Sequence, residues 1–154
     1  MGHRIVCQIL VNSLVTQMKK KKVIINLTQH PATPEQISQG VVEPKRKSMI
    51  IRWLTFNEMP TIEKIRRHAL QLATLAQWEY VDLVQEKKIP EDSDVRIMIG
   101  GAPFLMGPLE QALCEAGLRV VYAFSRRVCE ETPKADNTVE KRQIFRHAGF
   151  IEVS

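Results

Sequence analysis

The stretch Val95–Phe124, VRIMIGGAPFLMGPLEQALCEAGLRVVYAF, decides the fold. It opens on Val95 to Ile99, apolar but for Arg96, and closes on Val120 to Phe124, apolar throughout. A strand with one wet face alternates, whereas an unbroken apolar run belongs to a strand covered on both faces, as in a parallel sheet between helix layers. Between the two runs, Gly100-Gly-Ala-Pro103 makes a tight turn, and Phe104 to Ala116 reads as a helix closed by Gly117. Pro108 brings no N–H to the helical ladder, which moves the expected helix start toward Gly107. Strand, helix and strand form one crossover unit, right-handed by a nearly universal rule.

The same grammar extends in both directions. Val23 to Leu27 is a second short apolar run, and Thr33-Pro-Glu-Gln36 after it carries the signature of a helix start, with threonine as N-cap, proline at the first position and glutamine at the third. Gly40 ends that helix. Pro44 to Leu54 is basic and helical in pattern, with Lys45, Arg46, Lys47 and Arg52 expected on a solvated face. Thr61 caps a better helix, in which Ile62, Ile65, Ala69, Leu72, Ala73 and Ala76 recur at three- and four-residue spacing and mark one buried stripe. Arg66, Arg67 and His68 are expected on its surface. Glu79 to Asp94, rich in charge and holding Pro90, reads as a loop with a helical turn. Toward the C-terminus, Arg127 to Thr132 and Thr138 to His147 flank the turn signal Lys134 to Asn137 and predict an antiparallel hairpin. The expected architecture is a Rossmann-like three-layer α/β sandwich with a mostly parallel central sheet and a C-terminal antiparallel hairpin.

Composition limits the function classes. With 154 residues, 44% of them hydrophobic and 25% charged, the chain suits one soluble domain. Cys7, Cys114 and Cys129 are odd in number and widely spaced, which argues against a disulfide framework or a zinc site and points to a reducing cytoplasm; Cys114 is expected to pack inside its helix. No apolar run reaches the length of a membrane span. The net charge of +5 sits entirely in residues 1–22, through Arg4 and Lys19 to Lys22, while residues 23–154 hold seventeen basic residues against seventeen acidic ones. A protein that binds duplex nucleic acid carries its excess charge on the folded surface, so that class is set aside. Residues 1–22 are accordingly read as a basic N-terminal extension and 23–154 as a single α/β domain. Met18 before four lysines reads like an upstream extension followed by a start; a lipid-binding arm and a targeting signal are the competing readings.

Three apolar strands are each followed at once by polar or glycine-rich residues: Asn26 to His30, Gly100 to Pro103, and Ser125 to Arg127. In an open parallel sheet, ligands bind beyond the carboxyl ends of the strands. The chemistry suits an anion. Gly100, Gly101 and Ala102 offer close backbone approach and N–H groups at a helix N-terminus, one of Arg126 or Arg127 would clamp a phosphate, and Asn26, Thr28 and Ser125 would add hydrogen bonds. Consecutive side chains of a strand point to opposite faces, so only one of the two arginines can serve. There is no P-loop, no G-x-G-x-x-G, no G-x-S-x-G and no H-E-x-x-H, so neither cofactor nor metal is expected. Metal-independent phosphodiester cleavage stays open, with His30 or His147 as base toward a ribose 2′-hydroxyl and Ser125 and Arg126 assisting.

The segment Asn26-Leu-Thr-Gln-His-Pro-Ala-Thr-Pro-Glu-Gln36, together with Gly101-Ala-Pro-Phe-Leu-Met-Gly-Pro-Leu109, resembles small stand-alone CRISPR-associated Rossmann-like proteins of the ring-nuclease type. The I-G-G-A-P and Y-A-F-S-R-R motifs are also similar to those of proteins from bacterial mobile elements and phages. The first resemblance implies binding, extending to metal-independent cleavage, of a cyclic or linear oligonucleotide second messenger on a homodimer. In that reading His30, Ser125 and Arg126 are catalytic, and Asn26, Thr28, Gly100, Gly101, Ala102 and Arg127 bind the ligand. The second implies a non-catalytic interaction module. Ser125 to Val153 departs from the ring-nuclease pattern.

Overall fold

The computed structural model describes residues 20–153. The reading of residues 1–17 as an extension falls outside them. The described residues build five strands and four helices: β1 (Lys22–Leu27), α1 (Pro34–Ser38), β2 (Val41–Val42), α2 (Lys47–Leu54), α3 (Ile62–Gln85), β3 (Asp94–Ile99), α4 (Pro103–Glu115), β4 (Arg119–Pro133) and β5 (Val139–Glu152). They form one sheet in the order β2-β1-β3-β4-β5. The first four strands run parallel, and β5 returns antiparallel to β4, so the mixed α/β class with a C-terminal hairpin is as expected.

The unbroken apolar runs have the predicted cause. Ile25, Leu27, Ile97, Ile99 and Val120 pack with α2, α3 and α4 in the larger core cluster. Their chain neighbours Ile24, Met98 and Val121 point the other way and pack with Val41 in a smaller one. The layers are unequal, because that second face is served by α1, which has five residues and buries none of them.

The order of connections sets the site. From β1 the chain moves outward to β2, then returns across β1 to reach β3. Right-handed crossovers in opposite directions put their helices on opposite faces. The loops leaving β1 and β3 therefore part to opposite sides and leave a crevice between them at the carboxyl ends of two neighbouring strands, where open α/β sheets take ligands.

Several expectations change. Glu79 to Gln85 belongs to α3, which continues to Gln85 because Glu79 is itself buried. Its carboxylate accepts the backbone N–H of Lys45 at 2.9 Å and of Arg46 at 3.0 Å, and pairs with the Arg46 guanidinium at 3.0 Å. Arg46 is thus tied to α3, through Glu79 and Asp82, and does not stand on a solvated face. His68 is also buried, with Nδ1 2.7 Å from the Trp53 carbonyl and its ring stacked on Phe56. Ile62, counted in the buried stripe, is exposed, and so is Cys114. Helix α4 starts at Pro103, where proline fits the first position, and it carries Pro108 within it. The two-residue strand β2 was not anticipated. Strand β4 does not end at Phe124 but runs on to Pro133, and β5 continues past His147 to Glu152.

Candidate functional site

A cleft of about 390 Å³ opens at the crevice. Its walls come from Thr28 to Pro31 after β1, from Thr33 and Gln36 at α1, from Met98 to Gly101 at the end of β3, and from Tyr122 and Ala123 on β4. Of the nine residues singled out from sequence, Thr28, His30, Gly100 and Gly101 come together here. Ala102 stands next to them as the N-cap of α4.

The loop after β1 is held by one buried amide. Asn26 is fully buried at the end of β1. Its Nδ2 donates to the His30 carbonyl and to Glu43 Oε1, each at 2.8 Å, while its Oδ1 accepts the Thr28 N–H at 3.1 Å and the Thr28 hydroxyl at 2.7 Å. These four bonds match the two donors and two lone pairs of a carboxamide. Asn26 therefore shapes the wall and has no capacity left for a ligand. The His30 carbonyl also accepts from Lys47 Nζ at 2.9 Å, so the backbone at residue 30 is fixed from two sides. The exposed imidazole makes no hydrogen bond among the described residues and faces the cleft.

Glu43 completes this frame. Burial opposes its ionisation, but the Ala32 amide, the Asn26 amide and the Lys47 ammonium outweigh that and hold its carboxyl below the usual range. Lys47, expected on a solvated face, is the cation that reaches this loop, 3.2 Å from Glu43. On the other wall, Tyr122 donates to Glu110 Oε1 at 2.5 Å. Burial first, then this bond, raises its pKa, so it stays a neutral phenol.

Behind Gly100 and Gly101 of the cleft wall lies the N-terminus of α4. Helices leave their first N–H groups without intrahelical acceptors, and two others of this protein supply a side-chain one, Thr33 accepting from Gln36 in α1 and Thr61 from Lys64 in α3, whereas α2 has no side-chain cap and only the Lys45 and Arg46 amides before it reach Glu79. Ala102 has no side-chain acceptor to give α4. Gly100 and Gly101 lead into this uncapped end, and Gly101 adopts φ +152°, a conformation side chains rarely take. A Cβ on Gly100 would meet only the Thr28 methyl at 3.6 Å, an ordinary contact.

Ser125, Arg126 and Arg127 do not line the cleft, whose wall on β4 stops at Ala123. They lie inside β4, paired with His147, Arg146 and Phe145 of β5, and the Arg127 guanidinium sits 5.4 Å from the Phe145 ring centroid. Sequence reasoning missed Tyr122, Gln29 and Gln36 as lining residues; Tyr122 was the legible one, a phenol near the end of an otherwise apolar run.

Residues 22–151 match the model of the uncharacterized protein MJ1673 family. The chain belongs to that family. No curated protein and no solved structure matches it. The family match takes in every wall of the cleft and nearly the whole β4–β5 hairpin, so both are parts of the family's domain.

Proposed function

We propose that the cleft at the carboxyl ends of β1 and β3 binds a small phosphodiester anion, a cyclic or linear oligonucleotide of the second-messenger kind. The observation that carries this reading is the uncapped N-terminus of α4 behind Gly100 and Gly101, opening into a cleft at the point where the sheet's connections diverge. An anion there meets the partial positive charge of the helix end and accepts the Phe104 N–H, since Pro103 has none and the Leu105 N–H donates to the Ala102 carbonyl at 3.0 Å. The cleft volume lies in the lower part of the roughly 300–1,000 Å³ typical of small-molecule sites. His30, with a locked backbone and an unengaged ring, is the group in reach to take a proton from a ribose 2′-hydroxyl, which would make cleavage independent of metal. Ser125 and Arg126 have no part in this version, because β4 carries them past the cleft wall.

The competing interaction-module reading rests on a different surface, a groove of about 530 Å³ between α3 and α4 beside the exposed Ile62, Leu70 and Phe104. Among the described residues no helix is long and apolar enough to cross a membrane, and Cys114 and Cys129 are free thiols. The free thiols fit the reading of a reducing cytoplasm.

The test is a thermal-shift screen against cyclic oligonucleotides, linear oligonucleotides and mononucleotides. A ligand present at 100 times its dissociation constant should stabilise the fold by about 2.7 kcal/mol. The variant Gly100→Asp should abolish the shift by placing a carboxylate where the anion sits, and Gly100→Asn should serve as a neutral control of similar size. Gly101 is a poorer place for this test, since any side chain there is strained by its φ. If no member of the panel shifts melting, the interaction-module reading stands in front.

A further inference from the structure

The β4–β5 hairpin continues well beyond the body of the sheet. Strand β3 pairs with β4 only as far as Ile99↔Tyr122, whereas β4 and β5 stay in register from Ser125↔His147 to Pro133↔Val139. Past Tyr122 the chain is therefore a two-stranded ribbon, with an irregularity at Phe124/Ser125 that sets it off from the sheet. Almost every residue on it is exposed, including Phe145 at 68% and Val139 at 52%. Its turn is well made: Asn137 takes the left-handed φ of +61°, and the Lys134 amide donates to the Thr138 carbonyl at 2.8 Å. Cross-strand ion pairs join Lys134 to Glu140, Lys141 to Glu131 and Arg146 to Glu130. Yet a two-stranded hairpin alone is at best marginally stable in water, and three or more strands are needed for independent stability. Strand β5 ends the sheet, so among the described residues its outer edge presents unpaired backbone groups along the arm.

We infer that this edge pairs with the same edge of a second copy of the chain, antiparallel, about a two-fold axis at Gln143. The pairing turns two marginal ribbons into one four-stranded sheet and satisfies both edges at once. The charge pattern selects the partner and the register. A two-fold axis normal to a sheet keeps each residue on its own face, so the two opposed residues are both even-numbered or both odd-numbered. With Gln143 on the axis, Glu140 stands opposite Arg146, Lys141 opposite Phe145 and Arg142 opposite Ile144, and no like charges meet. Opposite charges across strands stabilise, and like charges directly opposed destabilise. An axis at Arg142 sets that arginine against its own copy, and an axis at Ile144 sets Arg142 against Arg146. The Lys141 stem would cover the open side of the Phe145 ring, whose other contact is Arg127 within its own chain. This assignment does not depend on the ligand reading of the cleft.

The experiment uses the full chain. Light scattering after size exclusion should give twice the 17.7 kDa chain mass at tens of micromolar. Arg146→Glu should weaken the dimer at least tenfold, and adding Glu140→Arg to it should restore the dimer, although the double variant still lacks both ion pairs that these residues make within the chain. In a chain with all three cysteines changed to serine, Gln143→Cys should cross-link on oxidation, whereas a chain keeping Cys129 alone, on β4 and away from the seam, should not. Circular dichroism confirms that each variant is folded. A folded monomer at all concentrations overturns the inference, as does a dimer indifferent to both charge changes.

Discussion

The body of the sheet and the β4–β5 arm are built from the same strands by opposite rules. In the body, β4 offers Val120 to the helices on one face and buries Val121 on the other. A few residues later the same strand reads Ser-Arg-Arg-Val-Cys-Glu-Glu, exposed on both faces and matched residue by residue to β5. Apolar burial fixes the first region from the chain's own contents. The second is fixed by cross-strand pairs and leaves an open edge. The difference shows where stability is stored and where other molecules have room to act.

Substitution of core residues should separate the two regions most strongly. Leu113→Ala, at a fully buried site in α4, should cost about 2–5 kcal/mol by thermal or denaturant unfolding, the range for emptying a core leucine site. Unfolding of that variant with the arm intact should stay a single transition. A loss under 1 kcal/mol would mean that the core is far less tightly packed than its burial indicates.

Between core and surface lies the polar frame of the cleft. Asn26→Asp removes two donors and sets a buried carboxylate against Glu43, and it should cost about 1–3 kcal/mol at neutral pH, the penalty for leaving buried polar groups unsatisfied. Part of that loss should return on acidification, when one of the two carboxyls takes up a proton. In the parent chain the sign is reversed. Glu43 is held below the ordinary carboxylate range, so its contribution is fully present above its unfolded pKa of about 4.3 and is lost as pH falls through the lower folded value. Protection of the Thr28 and Ala32 amides against exchange should therefore fall below about pH 4.3, before that of α3 and α4.

Helix ends sharpen the contrast between structure and function. Thr61→Ala removes a side-chain cap from α3 and should cost about 1 kcal/mol. Ala102→Asp should do the reverse at α4. Ala102 already has an extended backbone, with φ −59° and ψ 127°, so an acceptor there should stabilise the protein by about 0.5–2 kcal/mol. It should also compete with an anionic ligand and weaken binding. Gain of stability with unchanged binding would separate the helix end from the ligand site. The smallest effect belongs to the arm: Arg127→Ala removes an exposed cation–π contact and should change stability by no more than about 1 kcal/mol.

The legibility of the sequence follows the same division. Val23 to Leu27, Val95 to Ile99 and the first half of Val120 to Phe124 declared a sheet buried on both faces because burial demands unbroken apolar side chains, whereas Ala123 and Phe124, apolar too, are exposed beyond the end of β3. Gly100-Gly101 and Thr28 to His30 were legible as loops at strand ends, and the topology brings those ends together. Ser125 to Arg127 misled because a strand exposed on both faces has no need of apolar residues, so its polar start looked like a strand end. Glu79 misled in the same way, since a buried carboxylate that receives two backbone amides looks like any charged residue in a sequence. Asn26 was visible as a polar residue closing an apolar strand, but its four partners lie up to seventeen residues away and only the fold reveals that they exhaust it.

In the proposed function the start of α4 receives an anion. Backbone amide resonances during titration with a cyclic oligonucleotide, followed residue by residue, test it most directly. Saturable shifts are expected at Gly100, Gly101, Ala102 and Phe104, smaller ones at His30, and none at Ile62 or Leu70 along the α3–α4 groove. Gly100→Asp should erase them. Shifts confined to the groove, or amides of Gly100, Gly101, Ala102 and Phe104 that stay still while the ligand binds elsewhere, would contradict it.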